Sequence, residues 1–343
     1  MCMHERGSAT WEERAYDAMR GLKTDNVGAL HLRLLKDEFD VTGPSGHDHR
    51  AFIFETAACN IAQVMRVTGP VDILMVKLIM RHTFYAMDFL HSDVHCVHTD
   101  VKANNVLLRL NDRNVLEVFA KGLQETQPAS KGSRKNGTLV YRSRHFDDLG
   151  KSGWDAPILS DLGEARLLGN EEDLKPLSIG PVAYRAPENV LGMRWGYPID
   201  IWQAGCMFYH LLTGDQLFQM PDGADKWSTA LHLAQMAAMM GPPPADFVNR
   251  SQMCAKYFDY EGTWKGHEGT SVPQVSLEGK LAGIEYGEKE AMVDLLRGVL
   301  KWKPEEREIA KELAEHPFLQ LEDDTNAEDE ASEDGWNEER ETE

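Results

Sequence analysis

The sequence has little of what marks secreted, membrane-spanning or metal-stapled proteins. Its 343 residues include five cysteines, Cys2, Cys59, Cys96, Cys206 and Cys254, an odd number, widely spaced and never in a C-x-x-C pair. That argues against a disulfide scaffold and against a zinc site, and predicts a reducing compartment. No apolar run is long enough to span a bilayer, which takes about 20 predominantly apolar residues. The longest stretch, Val71 to Leu90, is interrupted by Asp72, Lys77, Arg81, His82 and Asp88 and predicts a buried helix of a soluble core, with no membrane partner. The start, MCMHERGSATWEER, is charged and carries no apolar run, so the expectation is no secretory signal and an intracellular protein. No repeat at a fixed period is present.

Positive charge is also scarce. Lys and Arg number 36 against 56 Asp and Glu, a formal charge of -20. Such an excess repels phosphate backbones and anionic headgroups, so direct nucleic-acid binding is not expected and basic proteins or peptides fit better as partners. The excess is uneven. Residues 321–343 carry twelve acidic residues and one Arg, with Trp336 as the lone aromatic, and predict a disordered acidic tail.

What is present is mainly helical spacing. Trp11, Ala15, Ala18, Met19 and Leu22 predict a first helix; His31–Phe39 and Arg50–Glu55 predict a hairpin around Gly43-Pro44-Ser45-Gly46. Helices are then expected over Asn60–Val67, Asp72–His91, Tyr197–Leu212, Thr229–Met240, Lys289–Leu300 and Ala310–Glu315, with short strands between them. The fold class is α+β. Between Arg109 and Pro157 the polar, basic stretch Gln127–Gly137 and a β-like Thr138–Arg142 read as an inserted surface excursion with a mobile tip.

The most informative segment is Cys96-Val97-His98-Thr99-Asp100-Val101-Lys102-Ala103-Asn104-Asn105-Val106. It sets an Asp, a Lys two positions on and an Asn five positions on, in a loop entering an apolar strand. Phosphoryl transfer needs this combination: a carboxylate for a hydroxyl proton, a cation near the moving phosphate, and an oxygen ligand for Mg2+. A polar turn after a buried helix is the bland alternative. A second element, Ile158-Leu159-Ser160-Asp161-Leu162-Gly163, ends an apolar strand in a carboxylate beside a glycine turn. Ala183-Tyr184-Arg185-Ala186-Pro187-Glu188, Asp200-Ile201-Trp202 opening an apolar helix, and Arg307, a cation able to pair with Glu188, complete the series in order.

With these residues the chain resembles the protein-kinase family from about Trp11 to Leu319. The His-Thr-Asp form of the loop, Asp-Leu-Gly at 161–163, Tyr-Arg-Ala-Pro-Glu at 184–188, the insertion after Leu108 and Gly241-Pro242-Pro243-Pro244 look like fungal relatives of the SR-protein kinases, in the group that also holds cyclin-dependent and Clk-type kinases. The resemblance implies a kinase-like fold with a truncated N-terminal lobe at 1–57 (first helix, hairpin and hinge), a mainly helical C-terminal lobe at 58–320 with an insertion at about 109–157, and the tail at 321–343. It implies Asp100 as catalytic base, Lys102 at the transferred phosphate, and Asn105 and Asp161 as magnesium ligands. Phe54 would be the gatekeeper, the backbone of Glu55 and Ala57 would face adenine, and Leu107 would floor the adenine pocket. ATP and Mg2+ are the implied cofactors, serines of Arg/Ser-rich basic proteins the implied substrate, and a cytoplasmic or nuclear monomer the implied state. Glu188, Asp200 and Arg307 are read as structural, and His98 as a packed core histidine.

Two family features are not found. No G-x-G-x-x-G occurs, and the only lysines before the hinge, Lys23 and Lys36, follow the first helix, so the lysine strand is absent; Lys77 belongs to the helix after the hinge. The apolar spacing of the first helix puts Arg14 where the strand lysine's glutamate partner is expected, and a one-residue shift puts Glu13 there. Thr99 stands where many kinases hold an activation-loop phosphate with Arg, so switching through that contact is not expected. Two functions therefore stay open: a Ser/Thr kinase, or a catalytically impaired pseudokinase that serves as a scaffold for a basic protein.

Overall fold

In the computed structural model the described residues are 10–43, 46–110, 114–125, 130–132, 139–141, 154–169, 179–221, 226–284 and 288–321. The acidic tail beyond Leu321 and most of the basic loop at 127–137 lie outside them. Helix α1 (Trp11–Met19) starts at Thr10, whose hydroxyl accepts the Glu13 N–H. A 3-10 turn (Val27–His31) leads to strand β1 (Leu35–Thr42), which pairs antiparallel with β2 (Asp48–Phe54).

The expected first hairpin strand, His31–Phe39, is displaced towards the C-terminus. Gly28 in the 3-10 turn lies so close to the helix behind it that a Cβ there would overlap the Tyr85 carbonyl oxygen. Residues 27–31 therefore wind against that helix, and Leu32 bridges to Leu159 before β1 begins.

Strand β3 (Ala57–Asn60) continues into α2 (Ile61–Thr68), whose start is closed by reciprocal bonds between Asn60 and Gln63. Helix α3 (Ile73–Ser92) is capped by Asp72 and runs through the core, with Val76, Ile79, Met80, Phe84, Met87 and Leu90 fully buried. Each such side chain contributes about 1.5–3 kcal/mol by leaving water. Lys77 sits within α3, where its Nζ meets Glu288 Oε1 at 2.7 Å. Strand β4 (Cys96–Val97) follows, then β5 (Val106–Leu110), which is central in a β3-β5-β8 sheet with β8 at Trp154–Leu159.

The insertion holds a helix the sequence reading missed, α4 (Asn114–Glu125), and a small antiparallel pair, β6 (Ser130–Gly132) with β7 (Leu139–Tyr141). Strand β9 (Arg166–Leu167) returns to pair with β4.

The remaining chain is helical: α5 (Pro187–Val190), α6 (Pro198–Thr213), α7 (Thr229–Met240), three short helices α8 (Ala245–Val248), α9 (Cys254–Tyr257) and α10 (Leu277–Lys280), then α11 (Lys289–Val299) and α12 (Ala310–Ala314). Helix α6 is buried almost all round, as its near-continuous apolar sequence requires. Trp202 on α6 stacks on Phe218 at 5.7 Å, and Phe208 meets Phe318 edge-on at 5.5 Å. Among the described residues no helix is long and apolar enough to cross a membrane.

Candidate functional site

The loop between β4 and β5 is held from below by α6. Asp200, in the first turn of that helix and fully buried, accepts the backbone N–H of His98 and of Thr99, each at 2.7 Å, and its Oδ2 lies 2.9 Å from His91 Nε2. One turn on, Gln203 Oε1 accepts the Val101 N–H at 2.8 Å while its Nε2 donates to the Thr99 carbonyl at 2.7 Å. Thr99 is held at φ 71° and its hydroxyl donates to the Glu164 carbonyl at 2.7 Å. A non-glycine residue in that left-handed region costs of order 1–3 kcal/mol and persists where its surroundings over-determine it, as these bonds do.

This frame presents Asp100. Its Oδ2 accepts from Lys102 Nζ at 2.6 Å and from Asn105 Nδ2 at 2.9 Å, and Asn105 Nδ2 also reaches the Asp100 carbonyl at 2.9 Å. The Asn105 carbonyl in turn accepts from the Ser160 N–H (2.8 Å) and hydroxyl (2.9 Å), which ties the loop to the end of β8. His98 is buried and its Nε2 donates to the Ser160 carbonyl at 3.1 Å, so it acts as a strut between the two segments. Asp161, next along, takes φ 71° with an exposed carboxylate, and its Oδ1 accepts the Gly163 N–H at 3.2 Å while Leu162 is buried beneath it. Of the four polar residues expected from the sequence, Asn105 and Asp161 line the cleft, while Asp100 and Lys102 are not among its lining residues and join it through the bond of Asp100 to Asn105.

That cleft has a volume of about 820 Å3, within the range of small-molecule sites. Phe54, Ala57 and Leu107 line it; Glu55, whose backbone was expected to face adenine, is not among the lining residues, and its carbonyl accepts from Arg33 Nη2 at 2.9 Å. The first helix corrects the expected register. Glu12, neither Glu13 nor Arg14, faces the cleft and is 5% exposed. Capping at Thr10 puts 12, 15 and 16 on the inner face of α1; Glu13 turns to Arg50 at 3.7 Å, and the Arg14 guanidinium lies over the Trp11 ring at 4.8 Å. Sequence reasoning also missed Arg33, which no motif marks. Among the described residues that line the cleft there is no lysine.

Farther from the cleft, Arg307 forms a two-pronged pair with Glu188, Nη1 to Oε1 and Nη2 to Oε2 at 2.7 Å each, both side chains buried. Nη1 donates further to the Pro198 carbonyl at 2.8 Å and Nε to the Lys301 carbonyl at 3.1 Å. This pair joins α5 to the start of α6, below the loop that follows the cleft.

A loop carboxylate bonded to a lysine and an asparagine, beside a cleft edged by a second carboxylate, is the arrangement of a phosphoryl-transfer enzyme. Comparison with known proteins agrees. The protein kinase domain family matches residues 154–319. A serine/threonine protein kinase of Aspergillus fumigatus is 34% identical over 88% of this chain and 72% of its own length. The serine/threonine-protein kinase SRPK of Physarum polycephalum is 28% identical over 92% of this chain and 78% of its own, and the serine/threonine-protein kinase AFC1 of Arabidopsis thaliana 28% identical over 88% and 61%. The chain belongs to the serine/threonine protein kinase family and is of the SR-protein-kinase-like type.

Proposed function

We propose that the chain transfers the γ-phosphate of ATP to serines of Arg/Ser-rich basic proteins, with 1–57 as a partial N-terminal lobe and 58–320 as the helical C-terminal lobe. The observation that carries this is the Asp100 carboxylate, bracketed by Lys102 and Asn105 at the mouth of a cleft walled by Phe54, Ala57 and Leu107. Asp100 orients a serine hydroxyl and accepts its proton as the oxygen attacks phosphorus. Lys102 follows the charge that develops on the transferred group, and the apolar walls hold the purine.

The donor set at the mouth, the Asn105 side-chain oxygen and the Asp161 carboxylate, is all oxygen and suits Mg2+, which is commonly held by one or two protein ligands plus substrate phosphates. Among the described residues no group of three or more His, Cys, Asp and Glu gathers to hold a metal. An Mg2+ held by Asn105 and Asp161 would supply charge neutralisation to the phosphates. A basic substrate is supported by the net charge of -20 and by similarity to a kinase named SRPK. A cytoplasmic or nuclear monomer goes with that substrate.

The test is Mg-ATP phosphotransfer to an Arg-Ser peptide by the wild-type chain and by Asp100→Asn. Loss of a general base lowers the rate by about 10²–10⁴-fold; equal incorporation by both proteins would remove Asp100 from the reaction. A second reading, the pseudokinase scaffold, is supported by the absence of lysine among the described residues lining the cleft, since a strand lysine normally holds the α- and β-phosphates. Thermal stabilisation by an Arg-rich peptide and none by Mg-ATP would favour it.

A further inference from the structure

One polar group in the cleft has no part in the function proposed above. Arg33 precedes β1 and is fixed at its backbone: its N–H donates to the Leu159 carbonyl at 2.8 Å and its carbonyl accepts the Tyr16 hydroxyl at 3.2 Å. Its side chain then runs along the cleft wall, with the guanidinium carbon 4.8 Å from the centroid of the Phe54 ring and Nη2 donating to the Glu55 carbonyl. The Nε is buried and has no hydrogen-bond partner. Burial pulls the guanidinium below its usual range while Tyr16 and Glu12 oppose that shift.

The Glu55 carbonyl matters because, on the nucleotide reading on which this inference rests, it is the hinge acceptor for the 6-amino group of adenine. Here that oxygen already accepts from a charged donor, a bond roughly twice as strong as one from a neutral amine. The adenine amine must share or displace it, and meets a positive charge beside its own polar hydrogens. A purine carrying a 6-oxo group meets the reverse situation. Its oxygen is an acceptor meeting a guanidinium, a group that only donates, and the Arg33 fork separates it from the Glu55 carbonyl that would otherwise repel it.

We propose that Arg33 is a specificity-determining residue that takes the hinge carbonyl out of adenine recognition, so that the cleft admits 6-oxopurine nucleoside triphosphates on terms comparable to ATP. The Phe54 ring beneath the guanidinium keeps it in the plane where the purine edge arrives.

The experiment is competition of ATP and inosine triphosphate, both with Mg2+, against a fluorescent ATP analogue on the full chain. Wild type is expected to bind the two within about threefold of each other, the difference of less than one neutral hydrogen bond. Arg33→Met keeps an apolar stem over Phe54 and frees the carbonyl; it is expected to move the ratio towards ATP by about tenfold, mainly through tighter ATP binding. Arg33→Lys, which keeps the charge and one donor, should fall between them. A wild-type preference for ATP of about tenfold or more, or an unchanged ratio in Arg33→Met, overturns the proposal while leaving nucleotide binding intact. Should Arg33→Met not fold, the wild-type ratio alone decides. Failure of both nucleotides to displace the probe, or of the probe to bind wild type at all, overturns the nucleotide reading and this inference with it.

Discussion

At the scale of single residues, the histidine pair behind the cleft makes the protein sensitive to acid. The His31 and His82 rings lie 4.2 Å apart, His31 stacks on Tyr85, and His82 Nδ1 donates to the Pro157 carbonyl. Burial, with help from His82, Arg109 and Arg81, pushes His31 down from 6.5 to about 4; His82 is lowered mainly by burial, with the Pro157 carbonyl and Asp155 acting the other way. A histidine with a depressed pKa binds fewer protons folded than unfolded. Its contribution is therefore complete above about pH 6.5 and is lost as pH falls towards 4. Denaturant midpoints at pH 7 and pH 4.5 should differ by less in His31→Phe, which keeps the ring stack, than in wild type. An equal drop in both would clear His31. Glu12 belongs to the same scale: the apolar period of α1 was legible, but its phase depended on which residue capped the helix, and Thr10 as cap turned Glu12 inward.

Among elements, those with a strong period or explicit caps were readable from the chain. α3 begins on Asp72 and α6 ends at Gly214, whose φ of 78° a side chain would strain, and both were expected almost to the residue. The strand before the hairpin was not. Its displacement follows from the close approach of Gly28 to α3, a contact 57 residues away in sequence that no local pattern records. α4 was missed although Val115, Leu116, Val118 and Phe119 recur with helical spacing, because the polar stretch after it dominated the composition. Asp100, Lys102 and Asn105 could be singled out because their order is fixed along one loop, and Asp161 because it ends an apolar strand beside a glycine. Arg33 was not, since its place is defined by Phe54 and Glu55 across the hairpin. The junction of α5 and α6 gives the prediction at this scale. Arg307→Ala leaves Glu188 charged and buried and strips donors from two carbonyls, and should cost about 3–5 kcal/mol in a urea titration. Asp100→Asn should leave the same titration within about 1 kcal/mol of wild type, since its amide keeps most contacts.

For the molecule as a whole, the charge resolves into two parts: residues 321–343 hold eleven of the twenty excess negative charges, so the folded body is acidic only modestly. A buried carboxylate is among the groups that fix the loop beside the cleft. Asp200 accepts the two backbone N–H groups that fix the bend before Asp100, and it stands on a helix with almost no exposed face. Both amide protons are held by Asp200 in buried surroundings. Their exchange with deuterium should therefore be as slow as that of the α6 backbone and should quicken with urea at the same slope, the signature of global opening. Exchange at His98 and Thr99 far faster than in α6 would mean that the loop opens alone. Exchange of His98 and Thr99 in step with α6 would mean that the geometry at Asp100 lasts as long as the core beneath it and is lost only with it.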